Sequence, residues 1–280
     1  MNNSTVNFTT SEASTNSTTH FINLVNITSL CAYSIAFLFG VPSHSYIIWL
    51  IVTGTGSGVA IEYFILNLSI CEIGNSVNGL LFMLSNWFSS LFTFNLFLLG
   101  LIIAGRPLFQ CLICVERYLA VVHPVTFLKY KPLRYRVICC TVFWIITLGF
   151  CLLCMLALSS GNHIRYGWLF SLQFLIFVSI QLFYLVAVLK ALKQSGPGKR
   201  GKKREEENHM KRRAFYLILI TTLSMVFTYV PYLIIAFFTM LTQQSVDVLW
   251  CIGLVCYVLG GFVQPVLYLH RVGKHPLSSN

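Results

Sequence analysis

The sequence predicts an all-α membrane protein, a bundle of seven transmembrane helices with its amino terminus outside, and three observations carry that prediction. Of the 280 residues, 56% are hydrophobic and 10% charged, where soluble domains average about 45–50% and about 25%. The apolar residues gather into seven runs, each reaching the roughly 17–25 residues a helix needs to cross a bilayer. The basic residues alternate in density between the segments that join those runs. The first observation excludes a soluble globular domain, and 23 Phe, 13 Tyr and 5 Trp exclude a disordered chain. No polar block of domain length separates the runs, so the chain reads as one membrane domain, residues 30–269, between two tails.

Residues 1–29 form the first tail. They hold no Lys or Arg, are rich in Ser, Thr and Asn, and carry glycosylation acceptor sequences at Asn2, Asn3, Asn7, Asn16 and Asn26, which predicts a glycosylated extracellular segment. The start lacks the basic and apolar regions of a cleavable signal, so span one is expected to act as its own insertion signal. The spans follow at about Leu30–Val52, Ala60–Leu84, Leu91–Val122, Val137–Leu158, Trp168–Leu192, Ala214–Leu241 and Val246–Leu269. The third is too long for an untilted crossing and is expected to project beyond the bilayer. Pro42, Pro107, Pro231 and Pro265 lie inside spans, where the freed backbone groups stay satisfied only if neighbouring helices compensate, so a packed bundle follows.

Orientation comes from the charges. Lys129, Lys131, Arg134 and Arg136 lie between spans three and four, and 190–213 supplies ten more Lys and Arg between spans five and six. Arg271 and Lys274 follow span seven in a short tail, 270–280. Alternation puts all of these on one side, opposite Arg165, and the positive-inside rule makes that side the cytosol. The loop Thr53–Val59 has no basic residue and does not contribute. The formal charge of +11 is thereby a matter of topology, and no nucleic acid is expected as a partner. The third inner loop, about 193–213, carries Lys199, Arg200, Lys202, Lys203 and Arg204 ahead of Glu205–Glu207, which suits anionic membrane lipids and a protein surface.

All ten cysteines fall within the spans and read as small buried hydrophobes, with no extracellular disulfide expected. Cys111/Cys114 and Cys151/Cys154 have a suggestive spacing but no second ligand pair nearby, so no metal is expected. The histidines are scattered, no Ser-His-Asp set converges, and there is no Gly-rich phosphate loop. The chain reads as a non-enzyme without a cofactor.

Span three ends in Cys114-Val115-Glu116-Arg117-Tyr118-Leu119-Ala120-Val121-Val122-His123-Pro124. Read alone, an arginine at a helix end is a snorkelling interface anchor. Other landmarks accompany it: Asn67-Leu68-Ser69 and Glu72 in span two, Trp144 in span four, Tyr184 in span five, Phe227-Thr228-Tyr229-Val230-Pro231-Tyr232 in span six, and Gln264-Pro265-Val266-Leu267-Tyr268 in span seven. In this order the chain resembles the rhodopsin-like (class A) G-protein-coupled receptors over about Leu30–Leu269. The resemblance implies a multi-pass plasma-membrane receptor whose partners are an extracellular ligand, a heterotrimeric G protein and membrane lipids. It implies that Arg117 occupies the cavity where a G-protein tail docks, with Tyr118 completing the signature and Glu116 restraining Arg117 in the inactive state. Tyr184 and Tyr268 then turn inward on activation, while Pro231 and Pro265 kink their helices so that the inner half of span six can swing outward. Tyr229 stands where the family usually carries Trp.

The chain departs from the family pattern at several positions. Phe92 stands where members usually carry a cysteine bridged to the second outer loop, and Ser159–Trp168 contains none. Ser43-His44 replaces a Gly-Asn pair, Gln264-Pro265 an Asn-Pro, and Lys211 an acid that in many members locks the arginine of span three, with Glu207 one turn earlier as a poor substitute. A repelled Arg117 and a measurable ligand-free activity are the expectation from Lys211.

Arg106 and Glu72 lie at bilayer depth, where an ionised side chain costs about 2.5–3.5 kcal/mol and so faces inward and pairs. Counted from the span ends at 1.5 Å per residue, their depths agree within roughly a helical turn. A buried Glu72–Arg106 pair is predicted. In the family those positions belong to a pocket that holds sodium, so the resemblance implies a cation already built in.

Leu99, eighteen residues before Arg117, stands where amine receptors of the family carry Asp, so an amine ligand is not expected. The outer half offers apolar walls, Leu99, Ile103 and Tyr232 among them, with Arg165 and Gln173 as sparse polar groups. A small, lipid-like ligand with an acidic head for Arg165 is the expectation. Two rival classes stand beside the receptor: a seven-span protein that binds ligand without activating a G protein, favoured by the departures, and a transporter, suggested by Glu72 and Arg106.

Overall fold

The computed structural model describes residues 25–53, 59–85, 87–130, 132–161, 163–193, 202–242 and 247–273. Spans one to seven are the helices Val25–Val52, Val59–Leu84, Ser90–Val122, Leu133–Ser159, His163–Lys193, Lys202–Thr242 and Asp247–Gly273, with a short helix Pro124–Tyr130 after span three. Among the described residues there is no strand. Every span predicted from the sequence is present, and the differences lie at the ends. Span one begins at Val25, so Asn26 falls in its first turn and is exposed, while Asn2, Asn3, Asn7 and Asn16 lie outside the described residues. Span four begins at Leu133 instead of Val137, and span six reaches back to Lys202 through part of the third inner loop. The rest of that loop, 194–201, and 274–280 of the last tail also lie outside the described residues. Hydropathy marks only the length inside hydrocarbon. A helix nucleated there continues into water through charged residues of good helix propensity.

Span three is the most enclosed of the seven, and spans four and five are the least. Ile145, Leu148, Leu152 and Leu156 recur at helical spacing on span four and are all exposed, which makes that face the one turned to lipid. The opposite face packs on span three at Gly100, where a Cβ would come within 2.7 Å of the Cys151 backbone nitrogen. Lipid supplies no hydrophobic drive between helices, so small residues and polar contacts hold them together. Trp144 Nε1 donates to Asn67 Oδ1 at 2.8 Å, tying span four to span two. Asn95 Nδ2 donates to Asn78 Oδ1 at 2.8 Å, tying span three to span two. All ten cysteines are thiols.

Two spans contain a π-helical turn, Ala36–Gly40 in span one and Leu101–Gly105 in span three. Each is followed by an α-helical segment whose second residue is proline, Pro42 or Pro107. The proline ring collides with the carbonyl four residues back, and an extra residue in the turn relieves the collision.

Candidate functional site

Pro107 organises the middle of the bundle. It has no N–H to give, so a carbonyl four residues back in α register, or five in π register, lacks its donor. Those carbonyls belong to Ile103 and Ile102, and side chains from two other spans serve both. Gln173 Nε2 of span five donates to Ile103 O at 2.7 Å, and the Tyr229 hydroxyl of span six donates to Ile102 O at 2.8 Å. Spans three, five and six are thereby fastened at one level. Gln173→Leu and Tyr229→Phe each leave a buried carbonyl without a donor, and each is expected to cost about 1–3 kcal/mol. Thermal unfolding of the purified protein checks this, and an unchanged melting temperature in both variants would refute it. His44 of span one also faces the backbone of Gly261, whose carbonyl is the one Pro265 leaves without a donor.

Just beyond Pro107 lie the intramembrane charges. Arg106 grips Glu72 through two parallel bonds, Nε to Oε1 and Nη2 to Oε2, the second at 2.6 Å. Its remaining nitrogen, Nη1, donates to Tyr257 O at 3.0 Å, and the guanidinium carbon lies 3.8 Å from the centroid of the Tyr257 ring. Asn75 Nδ2 approaches Glu72 Oε2 at 3.5 Å. Arg106 is 3% exposed and Glu72 4%. A planar fork matched to a carboxylate is the arrangement that offsets the desolvation of both ions. Gly261 belongs to the same site, because a Cβ there would stand 3.1 Å from Arg106 Nη2. The site joins spans two, three and seven.

At the other end of span three, the ion pair of Glu116 runs to Arg136 of span four, at 2.7 Å, and not to Arg117 as the sequence led one to expect. Arg136 is available because span four begins four residues before its predicted start, which places Arg136 in the first helical turn. Arg117 lines a cavity of about 30 Å³ with Ile113, Thr221, Gln264, Tyr268 and Arg271, a volume comparable to one water. The like charges that act on Arg117 belong to Arg271 and Arg213, where the sequence pointed to Lys211. Lys211 itself is buried. Tyr268 donates to Glu62 Oε2 at 2.6 Å, with both residues almost fully buried. Tyr184 packs beside Tyr118 with ring centroids 5.0 Å apart, and the Tyr118 hydroxyl is hydrogen-bonded to His123 Nε2 at 3.1 Å. Sequence reasoning missed Glu62 and Arg136. Their signal was the general one that an acid or base at a span end needs a partner.

Of the residues expected to face ligand, Leu99, Ile103 and Tyr232 meet in one aromatic cluster with Phe170, Phe174 and Tyr229. Gln173 joins them, but its amide nitrogen is committed to Ile103 O, so it offers a ligand only Oε1, which has no hydrogen-bond partner among the described residues. Arg165 is exposed. Pro231 and Pro265 lie inside continuous helices.

Seven membrane-length helices, the Glu116-Arg117-Tyr118 signature and the small cavity at Arg117 describe a seven-helix membrane receptor. Residues 43–268 match the family described as 7 transmembrane receptor (rhodopsin family), and the chain belongs to that family, the class A G-protein-coupled receptors. Among curated proteins, the chain is 25% identical to the chemokine XC receptor 1 of Mus musculus over 236 residues, which cover 79% of this chain and 70% of that protein.

Proposed function

We propose that this receptor sits in the plasma membrane with its amino terminus outside and couples an extracellular ligand to a heterotrimeric G protein. The observation that carries the reading is Arg117 at the end of span three, on a cavity walled by spans three, six and seven and flanked by Arg271. A helix tail ending in a carboxylate suits that convergence of positive charge once span six moves aside. The basic loops on the same side supply the orientation. Guanine-nucleotide exchange on purified heterotrimers, with and without ligand panels, tests the coupling. Binding without exchange would favour the non-signalling alternative, supported here by the engagement of Glu116 with Arg136 and of Tyr268 with Glu62.

The reading places a small apolar ligand against the aromatic cluster of spans three, five and six, with Gln173 Oε1, buried without a partner among the described residues, as the acceptor for one donor group once side chains make room. The likeness to a chemokine receptor supports a second reading, a chemokine, and the exchange assay separates the two when both classes are added. A transporter is the weaker reading, because Glu72 and Arg106 are engaged with each other.

The paired guanidinium also predicts an insensitivity to sodium. Replacing choline chloride by sodium chloride at equal ionic strength is expected to leave the melting temperature unchanged, since Arg106 repels a second cation from Glu72. A sodium-dependent rise that Glu72→Ala abolishes would overturn the built-in cation.

A further inference from the structure

Two guanidiniums, Arg117 of span three and Arg271 of span seven, line the same cavity of about 30 Å³. Arg117 has no hydrogen bond or ion pair among the described residues. Both acids whose charges act on it are engaged elsewhere. Glu116 pairs with Arg136 at 2.7 Å, and Glu62 accepts the Tyr268 hydroxyl at 2.6 Å. Arg213 of span six adds one more positive charge acting on Arg117. Arg117, Arg136, Arg213 and Arg271 thus stand against Glu62 and Glu116, and the excess of positive charge falls at the cavity. Its other walls include Ile113, Leu217 and Leu267, which lower the local dielectric, and Gln264, whose amide carries two N–H donors. Like charges between apolar walls repel strongly when nothing negative stands between them.

We infer that this cavity holds one chloride ion, bridging Arg117 and Arg271 and accepting a hydrogen bond from the Gln264 amide. Size and charge select it. The space is comparable to one water, and chloride is little larger than water, whereas sulfate, phosphate and carboxylates bring several heavy atoms against the leucines. A cation is repelled by both guanidiniums, and a water molecule offsets no charge. Chloride also accepts hydrogen bonds from any direction, so donors from two helices and an amide can share it. The ion restrains Arg117 from span seven, at a receptor end where Lys211 leaves span six without the acid. An incoming G-protein tail claims the same guanidinium, so chloride opposes coupling. That consequence rests on the proposed coupling, and the binding does not.

The test therefore needs no G protein. The full-length receptor in detergent is melted in sodium methanesulfonate, with chloride replacing methanesulfonate at constant sodium and ionic strength. The melting temperature is expected to rise along a saturating curve, by about 3–6 °C when chloride reaches roughly ten times its dissociation constant. Bromide is expected to reproduce the curve, while sulfate at the same ionic strength gives only the unsaturating drift of an excluded salt. Arg117→Gln and, separately, Arg271→Gln are each expected to raise the half-saturating chloride concentration about tenfold, the loss of one charge-assisted hydrogen bond. Arg212→Gln, on an exposed residue of span six, is expected to leave it unchanged. Chloride NMR linewidths report the ion directly, with excess broadening by the parent chain that falls in both cavity variants. No saturable response to chloride, an equal saturable response to sulfate, or a response unmoved by both cavity replacements overturns the proposal. Should one variant fail to fold, the other and the linewidth of the parent chain still decide it.

Discussion

Arg106→Ala and Glu72→Ala are each expected to remove about 3–5 kcal/mol of stability, because each strands the partner's charge in a dry interior. Against a total of about 5–15 kcal/mol, either loss should be visible as a collapse in folded yield. Glu72→Gln/Arg106→Gln together are expected to restore most of it, though not all. The Tyr257 carbonyl also loses its donor in the double variant, and its ring loses the guanidinium stacked on it. A thermal double-mutant cycle in detergent measures the coupling, and strictly additive losses would refute a pairing energy between the two side chains.

Arg117→Ala is expected to abolish nucleotide exchange on the G protein while leaving surface expression near that of the parent chain. Arg117 is only partly buried and lines a space no larger than a water, so its removal leaves no large void in the packing. What it removes is the charge at the point where spans three, six and seven converge. Exchange at the parent rate, at matched expression, would show that coupling runs through other residues.

The parts of this molecule that the sequence revealed are those where hydrocarbon imposes a rule. Apolar runs had to be spans, and Glu72 and Arg106 had to find partners at equal depth. The parts it concealed depend on where a helix ends and how it turns. Arg136 looked like a loop base because span four was started at Val137; four more helical residues bring it under Glu116 and away from the loop. Arg117 looked like the partner of Glu116 because the resemblance pairs them, yet the ion pair of Glu116 runs to Arg136 on a neighbouring helix. Gln173 looked like a contact for ligand because a lone amide in an apolar span invites that reading. The demand that claims it comes from Pro107, on a helix of remote sequence, and shows only when the two are packed together.

The π turn at Leu101–Gly105 changes how span three must be compared with its relatives. One added residue rotates everything on the far side of the turn by about 100° relative to Arg117, as an insertion in a cogwheel would shift every later tooth. Counting back from Arg117 as on an unbroken helix therefore slips out of phase beyond Gly105, and the packing decides which residue faces the ligand side. Leu99 lies with Phe170, Phe174 and Tyr229, whereas Leu98 lies in the core cluster that includes Cys151 of span four. Both are leucine, so the exclusion of an amine-binding acid holds on either count, but any alignment of this span with a relative has to be anchored on such contacts and not on residue number alone.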